Sequence, residues 1–417
     1  MSNIRKESIH LYIIQFVNYI VPLISLPYLT QVLTLNGMGK LGLAQSIFLL
    51  AQALIDFGLT YTAGREVSLH LESKKELRKI YTNVQFLRFL LYLSLSLVAS
   101  IVLYCIDVND KSLYYIAIIS SGAFVFLPLW VFNGLSKNSI FSKYLIYFKI
   151  ASLAIVFILI KDSNDYIVAF IVLNSSMIFL GIPVYLYLKR QNIEYDFNLI
   201  ELNSVKTYFY KGFNVFVGTF LSMTYTNFIP FFIKFFTSDY WVGVYIVVER
   251  LTSVLRQMYM PLIQASYGGI CLAYQKKQKK QYYSLIKKIS FIFFGISILA
   301  LTGNLIFGKY IIYLLLNDEQ VAYKYTFMSM FIVFLVAASM IITYCYILAR
   351  GLDSILKWIY MLASLLFCIM LYLMKENYAV NLTNIYIIIF CVETFVLIMQ
   401  LSYLLIYNRN YKSINKI

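Results

Sequence analysis

YIVAFIVLNSSMIFLGIPVYLYLKRQNIEYDFNLIELNSVK (Tyr166–Lys206) decides how this chain is read. Its first part is an apolar run of the length, roughly 20 residues, that crosses a bilayer as a helix. Its second part is a polar connector that opens on Lys189 and Arg190 and closes on Lys206. The same alternation repeats in both directions. It predicts spans at 9–34, 40–63, 80–104, 113–134, 140–160 and 166–188 before the connector. After it come 207–234, 241–271, 286–306, 324–348, 356–374 and 382–407. The expected fold class is an all-α polytopic membrane protein with twelve transmembrane helices. The connector divides them six and six, which predicts two bundles, 1–195 and 196–417. An internal echo accompanies the split: Pro27 is followed by Gly39 and GLAQS, and Pro230 by Gly243 and YIVVER.

The 35 Lys and Arg residues orient the ladder. The two tails and the even-numbered connectors, with their span edges, hold 23 of them. The odd connectors hold seven: Lys40, Lys111, Lys161, Lys234, Lys309, Lys324 and Lys375. Positive charge stays on the cytoplasmic side, so both termini are expected in the cytoplasm. The remaining five, Arg88, Lys149, Lys211, Arg250 and Arg256, lie inside spans.

Composition narrows the function. The chain is 61% hydrophobic and 13% charged, about half the charge of a soluble domain. The net charge of +16 would suit nucleic acid, but its sorting into alternate connectors is explained by topology and anionic headgroups, so no nucleic-acid partner is expected. The first apolar run contains Pro22 and Pro27 and lacks a cleavage site, so it reads as an uncleaved span. Five Cys without a CxxC pair and two His, His10 and His70, predict neither a disulfide framework nor a metal site, and no cofactor is expected. No connector exceeds about 20 residues, which leaves no soluble catalytic domain.

Ionisable and amide side chains inside spans are costly, so they face a partner or a hydrated cavity. Helical spacing gathers them into stripes. These are Gln15, Asn18, Pro22 and Ser25; Gln45, Gln52, Asp56 and Thr60; Tyr81, Gln85, Arg88, Tyr92 and Ser96; Lys211, Asn214, Gly218, Ser222 and Tyr225; and Glu249, Ser253 and Arg256. Glu393 and Gln400 mark the last span. The distribution suits a net cationic vestibule between two bundles. Arg88 and Arg256 read as cavity residues, with Arg250 as a third candidate. Lys149 and Lys211 read as snorkelling side chains near helix ends. Asp56 and Glu249 read either as carboxylates that couple ion movement to transport or as permanent ion-pair partners. QKKQKKQ (Gln275–Gln281) reads as a cytoplasmic anchor.

Four stretches together resemble the polysaccharide flippases of O-antigen and capsule assembly (the Wzx type), relatives of the multidrug and toxic compound extrusion (MATE) transporters in the MOP superfamily. They are PLISLPYLTQVL (Pro22–Leu33), AQSIFLLAQALIDFGLTYTAGREVS (Ala44–Ser68), LPLWVFNGLSK (Leu127–Lys137) and FTSDYWVGVYIVVERLTSVLRQMYMPLIQASYGGI (Phe236–Ile270). Gln31, Asn133 and Ser136 depart from the family's usual Arg, Gln and Glu. The resemblance implies a V-shaped central cavity in the bacterial inner membrane. It implies a flippase moving undecaprenyl-pyrophosphate-linked oligosaccharide from the cytoplasmic to the periplasmic leaflet by alternating access. The partners would be that lipid-linked substrate, the bilayer and the glycan polymerase machinery. The substrate-binding candidates are Arg88, Arg250, Arg256, Gln45, Gln52, Asn18 and Asn214, because Arg suits bidentate phosphate contact. The ion-coupling candidates are Asp56 and Glu249.

Three alternatives share some of these features. A MATE-type drug or cation antiporter would favour an acidic vestibule, which this chain lacks. A lipid II flippase shares the pyrophosphate-prenyl handle but commonly has fourteen spans. A membrane glycan polymerase would carry a large periplasmic loop, and none is present, so no enzymatic activity is expected.

Overall fold

The computed structural model describes residues 2–316, 320–352, 354–377 and 380–414, all of them in helices or short connections. The chain divides into two compact units, Met1–Met223 and Thr224–Ile417. The first holds α1 (Ser2–Asp56), α2 (Leu59–Leu69), α3 (Lys74–Cys105), α4 (Lys111–Ser121), α5 (Leu129–Gly134), α6 (Asn138–Leu159), α7 (Tyr166–Arg190) and all but the last residue of α8 (Leu202–Thr224). The second holds α9 (Ile229–Phe236), α10 (Asp239–Gln275), α11 (Lys279–Leu316), α12 (Gln320–Ile341), α13 (Ser354–Asn377) and α14 (Leu382–Ile414).

Among the described residues, nine helical stretches are long and apolar enough to cross a membrane. The stretch Ile20–Leu69 contains the second expected span and the later part of the first, and its helix breaks at Thr34 (φ 60°, ψ 173°). Expected spans seven and eight fall on α8 with α9 and on α10. The arrangement is compatible with twelve crossings.

Polarity points inward. On α3, Leu93, Leu97, Val98 and Ile101 are exposed while Thr82, Asn83, Gln85 and Arg88 are buried. An aqueous protein would not leave such a continuous apolar face uncovered; lipid covers it here. The first unit's core gathers Leu59, Val84, Trp130, Phe132 and Leu180. The second packs Tyr259 against Phe293, rings 4.5 Å apart, with Val333 and Ala337.

α8 follows the long connector yet belongs to the first unit, and the reason is local. A Cβ on Gly58 (φ +74°) would meet the Gly212 carbonyl oxygen at 2.8 Å, and one on Gly212 would meet the Phe57 carbonyl oxygen at 2.5 Å. Two glycines therefore let α8 cross flush against the α1–α2 turn. Phe57 stacks on Phe209 and Phe216 at 4.8 and 4.5 Å, and Lys211 Nζ lies 2.8 Å from Glu66 Oε1.

The connectors are tied to one another by parity. At one end of the first unit, Arg78 reaches Glu194 and Asp196 (3.4 and 3.2 Å), and Lys79 reaches Glu201 (2.8 Å). Asn83 Nδ2 donates to the Leu199 carbonyl, and the Glu201 N–H donates to Asn83 Oδ1. At the other end, Lys40 pairs with Asp110 (2.9 Å), which accepts from the Tyr166 hydroxyl (2.6 Å). There Asp165 also accepts the backbone N–H groups of Lys161 and Asp162, and these bonds hold its carboxyl below the usual range. In the second unit Lys324 donates to Thr383, while Arg350 stacks against Tyr274, Tyr282 and Tyr346.

Candidate functional site

The polar side chains within the helices form one set in each unit. In the first, Asp56 ends α1 and accepts from the Thr60 hydroxyl at 2.5 Å, one turn away across the Phe57–Gly58 break. Arg88 lies within electrostatic reach of Asp56, but its guanidinium is committed elsewhere. It donates to the carbonyls of Phe124 (2.6 Å) and Leu127 (3.4 Å) and to Gln85 Oε1 (3.2 Å). Gln85 Nε2 in turn donates to the Val125 carbonyl at 2.6 Å. The chain between α4 and α5 leaves α-helical geometry at Gly122–Pro128, so its carbonyls lose their helical partners. Gln85 supplies the donor for the Val125 carbonyl, and Arg88, three residues on along α3, adds a second donor to the Phe124 and Leu127 carbonyls, which also accept the N–H groups of Leu127 and Leu129. Arg88, expected in a hydrated cavity, is an internal brace in this structure.

In the second unit, Glu249 and Arg256 stand two turns apart on α10 and form an ion pair across them. The pair is part-buried, at 33% and 22% side-chain exposure. Tyr245 and Tyr386 flank both charges, and Glu393 on α14 lies within electrostatic reach of Arg256. Glu393 also adjoins Tyr225 and Tyr360. Close by in sequence, α12 ends in a π-helical stretch, Ile342–Ile347, whose wider turns free backbone groups. The Tyr282 hydroxyl donates to the Cys345 carbonyl at 2.8 Å. Gln400 donates to Thr343 and accepts from Ser339, at 3.0 and 3.1 Å. Two carboxylates around one arginine, ringed by tyrosine hydroxyls, can hold an anionic group or exchange a cation only by rearranging the ion pair.

The other expected residues are scattered. Arg250 and Gln45 are part-buried, and Gln52 is exposed. Asn18 is part-buried with its Oδ1 enclosed. The side chain of Asn214 lies outside the described residues, as do those of Gln15 and Ser222. Lys211 is half-exposed and pairs with Glu66, as a residue near a helix end can. Lys149 corrects the expectation of snorkelling: it is 8% exposed, on the buried stripe of α6 with Leu145, Ser152 and Val156. Its position midway along that helix puts both ends out of reach. Tyr245 and Tyr386 went unremarked because nothing in sequence separates them from the other tyrosines among 38. Among the described residues no cluster of His, Cys, Asp and Glu could hold a metal ion.

Comparison with known proteins places this architecture. Residues 4–267 match the family described as polysaccharide biosynthesis protein. A chain from Shigella dysenteriae named as an O-antigen transporter is 25% identical over 369 residues, covering 87% of this chain and 90% of that one. A second protein of the same name, from Escherichia coli strain K12, is 23% identical over 271 residues, covering 64% and 65%. Among solved structures, an inward-facing multidrug transporter of the MATE family in the MOP superfamily superposes with a TM-score of 0.60. The identity is 13%, over 95% of this chain and 99% of the other, so this likeness concerns the fold. The fold is MATE-like, and the chain is a multi-pass membrane protein.

Proposed function

For this chain, which belongs to the polysaccharide biosynthesis protein family, we propose that it flips polyprenyl-pyrophosphate-linked oligosaccharide units across the bacterial inner membrane for surface-polysaccharide assembly. The substrate class is an O-antigen or capsule repeat on undecaprenyl pyrophosphate, and alternating access carries it. The carrying observation is ionisable groups held inside an apolar transporter fold, foremost Arg256 with Glu249 and Glu393. A pyrophosphate with polar sugars needs arginine and hydrogen-bonding side chains within the helices, and the prenyl tail needs only lipid. Arg256 and Arg250 are the anion-binding candidates. Asn18, Gln45, Gln52 and Asn214 are candidates for sugar hydroxyls, while Arg88 shapes the first unit. Asp56 and Glu249 remain the coupling candidates, Glu249 through opening of its pair with Arg256. The glycan polymerase is the expected receiver of the product.

The test is deletion of the gene in its own host, followed by analysis of lipid-linked saccharides on each leaflet. Oligosaccharide-lipid accumulating on the cytoplasmic face, cleared by the wild-type gene, is the expected result. Unchanged surface glycan and no accumulation would reject the reading. Accumulation of lipid II instead would move it to peptidoglycan precursor export.

A further inference from the structure

Lys149 has no use in the reading above, and its surroundings are unusual. It is 8% exposed, and among the described residues its ammonium makes no ion pair or hydrogen bond, burial being the one influence on it. The depth follows from the packing. The Tyr28 hydroxyl donates to the Ile160 carbonyl at 2.5 Å, which fixes Tyr28 of α1 beside the end of α6. Lys149 lies eleven residues before Ile160, Asn18 ten before Tyr28, and Ser176 ten after Tyr166, the first residue of α7. At 1.5 Å per residue all three stand about 15 Å below the same end, near the middle of the bilayer.

The three side chains share a second property. Ser176 is 1% exposed and its hydroxyl has no hydrogen-bond partner; Asn18 Oδ1 is enclosed and also has none. Buried polar atoms are nearly always paired, so unpaired polar groups at one depth on three helices that pack together point to a ligand among those helices. The elements chiefly packed against α6 are α7, α1 and α5. On α5 and α7 there is no carboxylate, and α1 carries Glu7 and Asp56. Glu7 lies 21 residues from Tyr28, about 31 Å along the helix. Asp56 lies sixteen residues beyond Lys40, which sits at the Tyr28 end with Asp110. Neither carboxylate is at the depth of Lys149. The group is rich in donors, with three ammonium N–H, the Ser176 hydroxyl and the Asn18 amide, and it lacks a negative charge.

We propose that Lys149, Ser176 and Asn18 form a binding site for one small monovalent anion of the halide class within the N-terminal unit. The anion balances the single ammonium and accepts from the Ser176 hydroxyl and the Asn18 amide N–H groups. Enclosure among helices of one unit selects a small ion over a pyrophosphate. The site is independent of what the protein transports.

The test uses the purified full-length protein in lipid nanodiscs, with thermal unfolding followed at fixed ionic strength in sodium bromide, chloride or gluconate. The wild type is expected to show a saturable rise in unfolding midpoint with bromide and chloride over gluconate. Lys149→Met should abolish the halide response. Ser176→Ala should keep it but raise the half-saturating concentration about five- to tenfold, the loss of one hydrogen bond. A wild type indifferent to halide overturns the proposal, as does Lys149→Met with an undiminished response. Stabilisation by inorganic pyrophosphate and not by bromide overturns it too, and assigns Lys149 to the substrate. Should Lys149→Met fail to fold, Ser176→Ala decides: an unchanged half-saturating concentration overturns the site.

Discussion

Arg88 Nη2 donates to the carbonyl oxygen of Phe124 at 2.6 Å, which turns the deepest charge of α3 into a support for the turn between α4 and α5. Replacing Arg88 by Ala removes its charge-assisted bonds to the Phe124 and Leu127 carbonyls, which keep only the N–H groups of Leu127 and Leu129, at about 1.5–3 kcal/mol for such a bond. Arg88→Ala is therefore expected to lower membrane yield and unfolding midpoint, with Arg88→Lys recovering part because it cannot reproduce the fork. An Ala variant of wild-type stability that no longer supports surface glycan would return Arg88 to substrate contact.

The Gly58–Gly212 crossing makes a separate prediction. At Gly58 a side chain meets both a left-handed backbone and the Gly212 carbonyl; at Gly212 it meets the Phe57 carbonyl. Gly58→Ala and Gly212→Ala are each expected to destabilise by about 1–3 kcal/mol. Proteolysis should then cut near α8 sooner than in the wild type. Wild-type resistance in both variants would mean the crossing is looser than its geometry.

These two features show what sequence can carry. The apolar lengths and the charge alternation specify the crossings, because bilayer thickness and positive-inside sorting act on each segment alone. Connector parity was legible for the same reason. The roles of the charges were not. Arg88 and Arg256 look alike in a sequence, each deep in a span beside polar neighbours. One meets carbonyls 36 and 39 residues away, the other a carboxylate seven residues back on its own helix. Glu249 and Arg256 were legible as sharing a face; that they would bridge two turns depended on the rotamers of both side chains, which spacing alone leaves open. Asn83, which fixes residues 116 and 118 positions later, carried no signal at all. Whether Lys149 can snorkel depends on its depth, which the span boundaries alone do not supply.

The Glu249–Arg256 pair is open to a double-mutant cycle. Glu249→Gln leaves Arg256 facing Glu393 alone, and Arg256→Gln leaves two carboxylates unbalanced in one apolar unit. Each single change is expected to destabilise, and the coupling energy in the cycle should reach about 1.5–3 kcal/mol. A coupling energy near zero would show that the charges act separately. If Glu249→Gln retains stability but loses dependence on the proton gradient in a flipping assay, Glu249 is the coupling carboxylate.

The connector between α7 and α8 is held by two kinds of contact, and they should part under salt and acid. Arg78 and Lys79 make exposed ion pairs, which water and salt screen. Asn83 is fully buried and bonds two backbone groups. Lys79, with Ser204, holds the Glu201 carboxyl below the usual range. A depressed pKa contributes stability above the unfolded value, lost as pH falls through the folded one. Protection of residues 189–206 from proteolysis should thus weaken modestly below about pH 4 or in about 1 M salt, and collapse in Asn83→Ala at neutral pH. Equal protection in Asn83→Ala and Arg78→Ala would place the anchor in the ion pairs instead.

Parity also fixes what a labelling experiment must find. Lys40, Asp110 and Tyr166, in the first, third and fifth connectors, meet at one end. At the other end Arg78 and Glu194, of the second and sixth connectors, meet, and Glu66 of the second meets Lys211 on α8. In the second unit the eighth and tenth connectors meet through Arg350 and Tyr282, and the ninth and eleventh through Lys324 and Thr383. Geometry leaves each unit two absolute orientations, and charge chooses between them. The basic excess lies with the even connectors, including Lys276, Lys277, Lys279 and Lys280, so these are expected to face the cytoplasm. Single cysteines replacing Asp107, Asp162 and Asp239, in a background without the five native Cys, should react with an impermeant thiol reagent in intact cells. One replacing Lys277 should react only after the membrane is opened. Labelling of the Lys277 position from outside would invert the chain and, with it, the direction of export.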